Sequence, residues 1–244
     1  MLQSAKELRG ARLQAIDGEI GPLEDLYFDD FEWRIRYLVA NTGGWLSGRR
    51  ILLSPLALTG APDANSHIQM NLTTEQIQAS PPIDEAKPVS KQQEIDLHTY
   101  YGWNYYGFGP GVSGMYSQGK KPDFPEGNVG EQPGDPHLRS VKEVAGYRIR
   151  ATDEDLGHVE DLIVDDTTWE VRYMVVDTAP LWFGKKVLIS PLWVQEVDWI
   201  NRNVEVSLSA GDIQDAPEWD GITPIDTDYD DKLFVHYSKT TYVV

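Results

Sequence analysis

The stretches GPLEDLYFDD (21–30) and GHVEDLIVDD (157–166) share a glycine, a Glu-Asp-Leu triplet and an Asp-Asp pair at identical spacing, 136 positions apart. The register extends without a gap in both directions. Upstream, Gly10 meets Gly146 and Asp17 meets Asp153. Downstream, Trp33 meets Trp169, Arg36-Tyr37 meets Arg172-Tyr173, Thr42 meets Thr178, Gly48 meets Gly184 and Ser54-Pro55 meets Ser190-Pro191. Where the residue types differ, volume and charge are kept, as with Ile35 for Val171, Leu53 for Ile189 and Arg49-Arg50 for Lys185-Lys186. The chain is therefore a tandem repeat in which each copy builds the same packed core.

Each copy reads as a series of short strands. The runs Leu23 to Phe28 and Val159 to Val164 end in Asp-Asp, and a tryptophan follows within three residues, which is the spacing of a hairpin. The strands Ile35 to Ala40 and Val171 to Val176 come next, rich in β-branched and aromatic residues. A second hairpin, through Gly43 to Gly48 in the first copy, reaches Ile51 to Leu53 and Val187 to Ile189, where Ser-Pro stops the ladder. A last strand, Ile68 to Leu72 and Val204 to Leu208, runs into the helix-capping patterns at Thr73 and Ser209. Beyond these, Leu97 matches Leu233 and Tyr101 matches Tyr237, and the N-caps Ser90 and Asp226 predict helices from Lys91 to Tyr101 and from Thr227 to Tyr237. The expected fold is mainly β: two small antiparallel β-barrels in tandem, each followed by a short tail helix. The expected boundaries are a barrel over 1–84, a tail segment over 85–106, a Gly/Pro-rich flexible linker over 107–140, a second barrel over 141–220 and its tail over 221–244.

The 244 residues include 39 acidic and 21 basic side chains, a net charge of −18 that repels phosphate backbones and anionic lipid. Direct nucleic-acid binding is disfavoured. The absence of cysteine excludes disulfides and thiolate chemistry. No apolar run approaches the roughly 20 residues of a membrane helix, and MLQSAKELRG lacks a signal-peptide core, so a cytoplasmic protein with no transmembrane segment is expected.

The series G-x-x-E-D-L-x-x-D-D, W-x-x-R-Y, T and G-[RK]-[RK]-[IV]-L-[LI]-S-P resembles the PRC-barrel domain in both repeats, over Leu8 to Ala79 and Val144 to Asp215. That family includes the cytoplasmic part of the photosynthetic reaction centre H subunit and the C-terminal domain of the ribosome maturation factor. The H subunit carries an N-terminal membrane helix and the ribosome factor a different N-terminal barrel, and neither feature is legible here. The resemblance implies a PRC-type barrel in each copy and a scaffold used for assembly. It points to a non-catalytic, protein-binding adaptor or assembly module with a protein partner, the two barrels pairing within the chain or as a homodimer. A second reading is a photosynthetic light-reaction component that docks on a membrane electron-transfer complex from the cytoplasmic side, peripheral to the inner membrane.

Catalytic chemistry finds no foothold. The histidines His67, His98, His137, His158 and His236 are scattered, without the spacing of a metal-binding pair. Gly43 to Arg50 has phosphate-loop glycine spacing, but Arg49-Arg50 stands where Lys-Ser/Thr is required. No catalytic residue and no cofactor is assigned. Asp29, Asp30, Asp165 and Asp166 are weak cation candidates, because hard cations want several carboxylate oxygens. The competing reading has them satisfy turn amides while Asp25 pairs across the hairpin with Arg36, and Asp161 with Arg172. The second-hairpin tips carry Trp45-Leu46 and Leu181-Trp182-Phe183 beside Arg49-Arg50 and Lys185-Lys186. Large apolar groups on a turn either cover a barrel end or anchor a partner.

Overall fold

The computed structural model describes residues 1–46, 48–63, 66–81, 89–103, 137–178 and 185–241. The chain is mainly β and forms two sheets. First in sequence come β1 (Leu2–Ser4) and α1 (Ala5–Leu8). The first repeat then supplies β2 (Arg12–Gln14), β3 (Glu19–Asp29), β4 (Arg34–Asn41), β5 (Arg50–Leu53) and β6 (His67–Gln69), in the spatial order β5-β4-β3-β2-β6. Helices α2 (Thr74–Gln78) and α3 (Lys91–Tyr101) follow.

The second repeat opens with β7 (Leu138–Ser140) and α4 (Val141–Val144). Its sheet contains β8 (Arg148–Arg150), β9 (Asp155–Asp165), β10 (Val171–Asp177), β11 (Lys186–Ile189), β12 (Val194–Asp198) and β13 (Asn203–Val206), in the order β11-β10-β9-β8-β13-β12. Helices α5 (Ala210–Asp215) and α6 (Thr227–Thr241) end it. Both strand orders are open paths, with no closed barrel among the described residues. Of the expected linker, 107–136 lies outside those residues. Its last positions, Leu138–Ser140, are a strand rather than linker.

Two further differences from the sequence reading have local causes. β6 runs parallel to β2, and β13 parallel to β8, rather than antiparallel. After Ser-Pro the chain crosses over instead of turning back, so it re-enters the sheet in the direction of its first strand. β12 has no equivalent strand in the first repeat. There Gly60 and Pro62 interrupt the segment and leave the single bridge Leu58–Met70. Within the first sheet, β4 is buried along six consecutive residues, Ile35 to Ala40.

The tail helices explain that unbroken burial. In α3, Glu94 and His98 are buried, and both meet the hydroxyl of Tyr37 on β4 at 2.9 Å. In α6, Asp230 accepts from the Tyr173 hydroxyl on β10, and Tyr237 donates to the Leu188 carbonyl at 3.1 Å. Tyr37 matches Tyr173 and Glu94 matches Asp230 in the repeat register, so both tails dock by one tyrosine–carboxylate bond. Leu97 and Leu233 are buried beneath them. Ser90 starts α3 with a capping box to Gln93, and Asp226 accepts from the Tyr229 amide to start α6.

The chain divides into two compact units that do not follow the repeats. One unit contains 1–10, 25–36 and 139–244; the other contains 11–24 and 37–138. The first unit therefore takes the opening segment and the Asp25–Arg36 hairpin of the first repeat together with nearly all of the second.

Gly21 and Gly157 hold matched places where β3 and β9 pass close to another strand. A Cβ at Gly21 would sit 1.9 Å from the Asn41 carbonyl oxygen, and one at Gly157 2.0 Å from that of Asp177. Both residues also have positive φ, +145° and +59°. Gly21→Ala and Gly157→Ala are each expected to cost about 3 kcal/mol by denaturant titration, from backbone strain plus the clash. Gly10→Ala, at φ +93° but with nothing within 4 Å of the added carbon, should cost about 1 kcal/mol. Equal losses at all three positions would contradict the close approach.

Candidate functional site

The carboxylates of the repeated Glu-Asp-Leu triplet are buried, and each is held by the opening segment of the other repeat. Asp161 on β9 accepts from the Ser4 hydroxyl at 2.5 Å, from the Lys6 amide at 3.0 Å and from the Leu162 amide at 2.8 Å. Asp25 on β3 accepts from the Ser140 hydroxyl at 2.5 Å, from the Lys142 amide at 3.1 Å and from the Leu26 amide at 2.8 Å. Ser4 corresponds to Ser140, Lys6 to Lys142 and Asp25 to Asp161 in the repeat register. The two arms are thus exchanged with a reciprocity that pairs every donor with its counterpart.

The chemistry of the serine makes the arm self-consistent. Ser4 is the N-cap of α1, and its oxygen accepts the Glu7 amide at 3.0 Å. Its single hydroxyl proton is then directed to Asp161. Ser140 caps α4 in the same way, through the Glu143 amide at 3.0 Å. Ahead of the serines, β1 pairs antiparallel with β9, placing Gln3 opposite Val164 and Ser4 opposite Ile163, and β7 pairs with β3. Gln3 donates to Asp166 at 3.2 Å, and its counterpart Arg139 donates to Asp30 at 3.1 Å. The Arg139 guanidinium also lies 3.7 Å from the centre of the Trp199 ring.

Between the arms the repeats meet on a local two-fold relation. The Ile35 amide donates to the Trp169 carbonyl and the Val171 amide to the Trp33 carbonyl, each at 2.7 Å. Arg34 and Glu170, which occupy the same position of the two copies, face each other at 2.6 Å. Trp33 and Trp169 adopt left-handed backbone, φ 52° and 59°, unusual for bulky side chains. The strained residue is the one whose carbonyl accepts across the local two-fold, so both repeats hold strain where they join.

The expected pairs Asp25–Arg36 and Asp161–Arg172 do not form: Arg36 donates to Asp29 at 3.0 Å, and Arg172 lies 3.9 Å from Asp230. The physical reason is that an exchanged arm brings a hydroxyl and an amide to each buried carboxylate, which a neighbouring-strand argument does not foresee. The acidic turns use their oxygens on protein donors. Asp29 accepts from the Phe31 and Glu32 amides at 2.9 Å, Asp165 from the Thr167 and Thr168 amides at 2.8 and 3.0 Å, and Asp166 from the Met1 amino group and Gln3. Among the described residues no three His, Cys, Asp or Glu side chains gather as a metal site.

At the second-hairpin tips, Gly43–Leu46 forms a single 3-10 turn with Leu46 half-buried, and Trp45 belongs to it. Leu181, Trp182 and Phe183 lie outside the described residues. The neighbouring cations are engaged internally. Arg49 donates to the carbonyls of Ser80 and Pro81 at 2.7 and 2.9 Å, and Lys185 donates to that of Gln214 at 2.5 Å, so each serves the carboxyl end of α2 or α5. Arg50 pairs with Glu24 at 3.0 Å, and Lys186 with Glu160 at 2.9 Å. A feature not foreseen from the sequence is the matched pair Leu56 and Leu192. They sit in equivalent 3-10 turns directly after Ser-Pro, and their side chains remain 49% and 80% exposed. The shared Ser-Pro-Leu triplet is visible in the sequence, but its exposure is not.

These observations define a class of duplicated β-sheet modules whose copies are joined by exchanged arms, with buried carboxylates committed to the joint. Residues 136–213, within the second repeat, match the family model described as the PRC-barrel domain. No curated protein matches the chain. No helix among the described residues is long and apolar enough to cross a membrane.

Burial pushes the carboxyls of Asp25 and Asp161 above their ordinary value of 3.8, and the serine and amide donors oppose that rise without overcoming it. A carboxyl with a raised folded-state pKa favours folding most below its unfolded value and loses that contribution as pH rises through the folded value. Asp161→Asn keeps the shape and an acceptor without the charge, so the stability of the unsubstituted protein relative to this variant should fall as pH rises from 3.8. At neutral pH Asp161→Ala is expected to cost about 3 kcal/mol, because three donors lose their acceptor, and Asp161→Asn about 1 kcal/mol. Equal effects of the two substitutions at every pH would show that the carboxylate is not held as described.

Proposed function

We propose that the chain is a non-catalytic adaptor or assembly module in which each repeat forms a PRC-type barrel and the clasped pair presents matched docking points to a protein partner. The observation that carries this reading is the exposed leucine pair. Leu56 and Leu192 occupy the same position of the two copies, and both are exposed. An exposed apolar side chain set after the same Ser-Pro stop in both repeats has the character of an interface anchor. The acidic residues considered for metal binding take turn amides or arm donors, and the basic residues beside the hairpin tips serve helix ends, which leaves little for acid–base or metal chemistry. The reaction-centre reading has no observation of its own beyond the family resemblance.

The test is co-purification of tagged protein from native cytosol and from native membranes. Leu56→Ser and Leu192→Ser together should change the melting temperature little, since exposed substitutions fall within about 0.5 kcal/mol. The same double substitution should remove the recovered partner. Unchanged recovery would mean that the leucines do not dock it. Measured catalytic turnover by the purified chain would overturn the non-catalytic reading.

A further inference from the structure

We infer that the edge of β9 around Asp161 is an acceptor site for the Leu2–Leu8 arm of a second copy of this chain, so that two molecules can exchange arms and form a closed dimer.

Within the first compact unit the arm is recognised by chemistry that does not depend on covalent continuity. It adds a strand to β9 through Leu2, Gln3 and Ser4, then places a hydroxyl and a backbone amide on a buried carboxylate. The acceptor belongs to the other repeat, 157 residues away from Ser4 along the chain, and the second arm does the same in reverse at Asp25. Strand addition at a sheet edge, with one buried polar group for register, is a general mode of peptide capture. An acceptor whose arm leaves is left with a buried carboxylate lacking two of its donors, a state that favours refilling by any segment with the same pattern. The arm joins its own repeat at Gly10, whose φ of +93° and open surroundings place a hinge residue where a swapped arm must change direction. The tether keeps the arm at an effective concentration of roughly millimolar, so exchange between molecules becomes competitive only near that protein concentration or after transient opening.

The chain has no cysteine, so engineered thiols report arm placement without interference. Gln3 and Val164 are opposite one another across β1 and β9, a spacing that suits a disulfide. Gln3→Cys and Val164→Cys placed together in one full-length chain should oxidise to a monomeric cross-link. The two single variants, tagged with different masses, mixed at about millimolar concentration, incubated and oxidised, should give a heterodimer whose bond joins position 3 of one chain to position 164 of the other. Adding Asp161→Ala to the acceptor chain should lower the heterodimer yield by about a hundredfold, roughly tenfold for each of the two hydrogen bonds that the arm makes to the carboxylate. The inference is overturned if the double variant closes within one chain while the mixture gives no heterodimer. It is also overturned if Asp161→Ala leaves the yield unchanged, or if the double variant does not close at all.

Discussion

A buried carboxylate cannot be left without donors, and in this protein the donors for Asp25 and Asp161 come from the opposite repeat. That constraint organises the rest. Removing a charged oxygen from water costs far more than one neutral hydrogen bond returns, so each site requires its full set of hydroxyl and amide donors. Because those donors sit on arms that also add a strand to the acceptor sheet, satisfying the carboxylate fixes strand register and helix start at once. The left-handed tryptophans and the facing Arg34–Glu170 pair then complete the contact between copies. Arg34 and Glu170 are each about a third exposed, so their ion pair contributes modestly and mainly fixes alignment.

Duplication explains why this arrangement exists in one chain. The hydroxyl and amide donors to each buried carboxylate on one side have their counterparts 136 positions along on the other, as an isologous dimer of a single module would have. The tail helices show how far the copies have diverged within that plan. The first docks by Tyr37 with buried Glu94 and His98, whereas the second keeps the tyrosine–carboxylate bond and places the exposed Phe234 where His98 stands. The docking bond is kept and the outer chemistry is free to change.

Much of this was legible in the sequence, for local reasons. The hairpins, the Ser-Pro stops, the capping patterns at Thr73 and Ser209, and the tail helices starting after Ser90 and Asp226 all depend on residues a few positions apart. The parallel pairing of β6 with β2 was missed, because chain direction after a crossover is not encoded in hydrophobic alternation. The partners of Asp25 and Asp161 were missed for a similar reason. Arg36 and Arg172 lie on the second strand of each hairpin, yet the serine donors lie 115 and 157 residues away. Ser4 and Ser140 do stand at the same place of the repeat, and a serine followed three residues later by glutamate is a capping signal, so the start of each arm was readable even though its destination was not.

The central claim is that the arms are exchanged, and a pair of double-mutant cycles tests it most directly. Ser4→Ala with Asp161→Ala, and Ser140→Ala with Asp25→Ala, should each show a coupling of about 1–3 kcal/mol in denaturant unfolding, as bonded partners do. Ser4→Ala with Asp25→Ala, two residues of the same repeat, should be additive within about 0.5 kcal/mol. Strong coupling of Ser4 to Asp25, with additivity between Ser4 and Asp161, would place each arm on its own repeat and contradict the account.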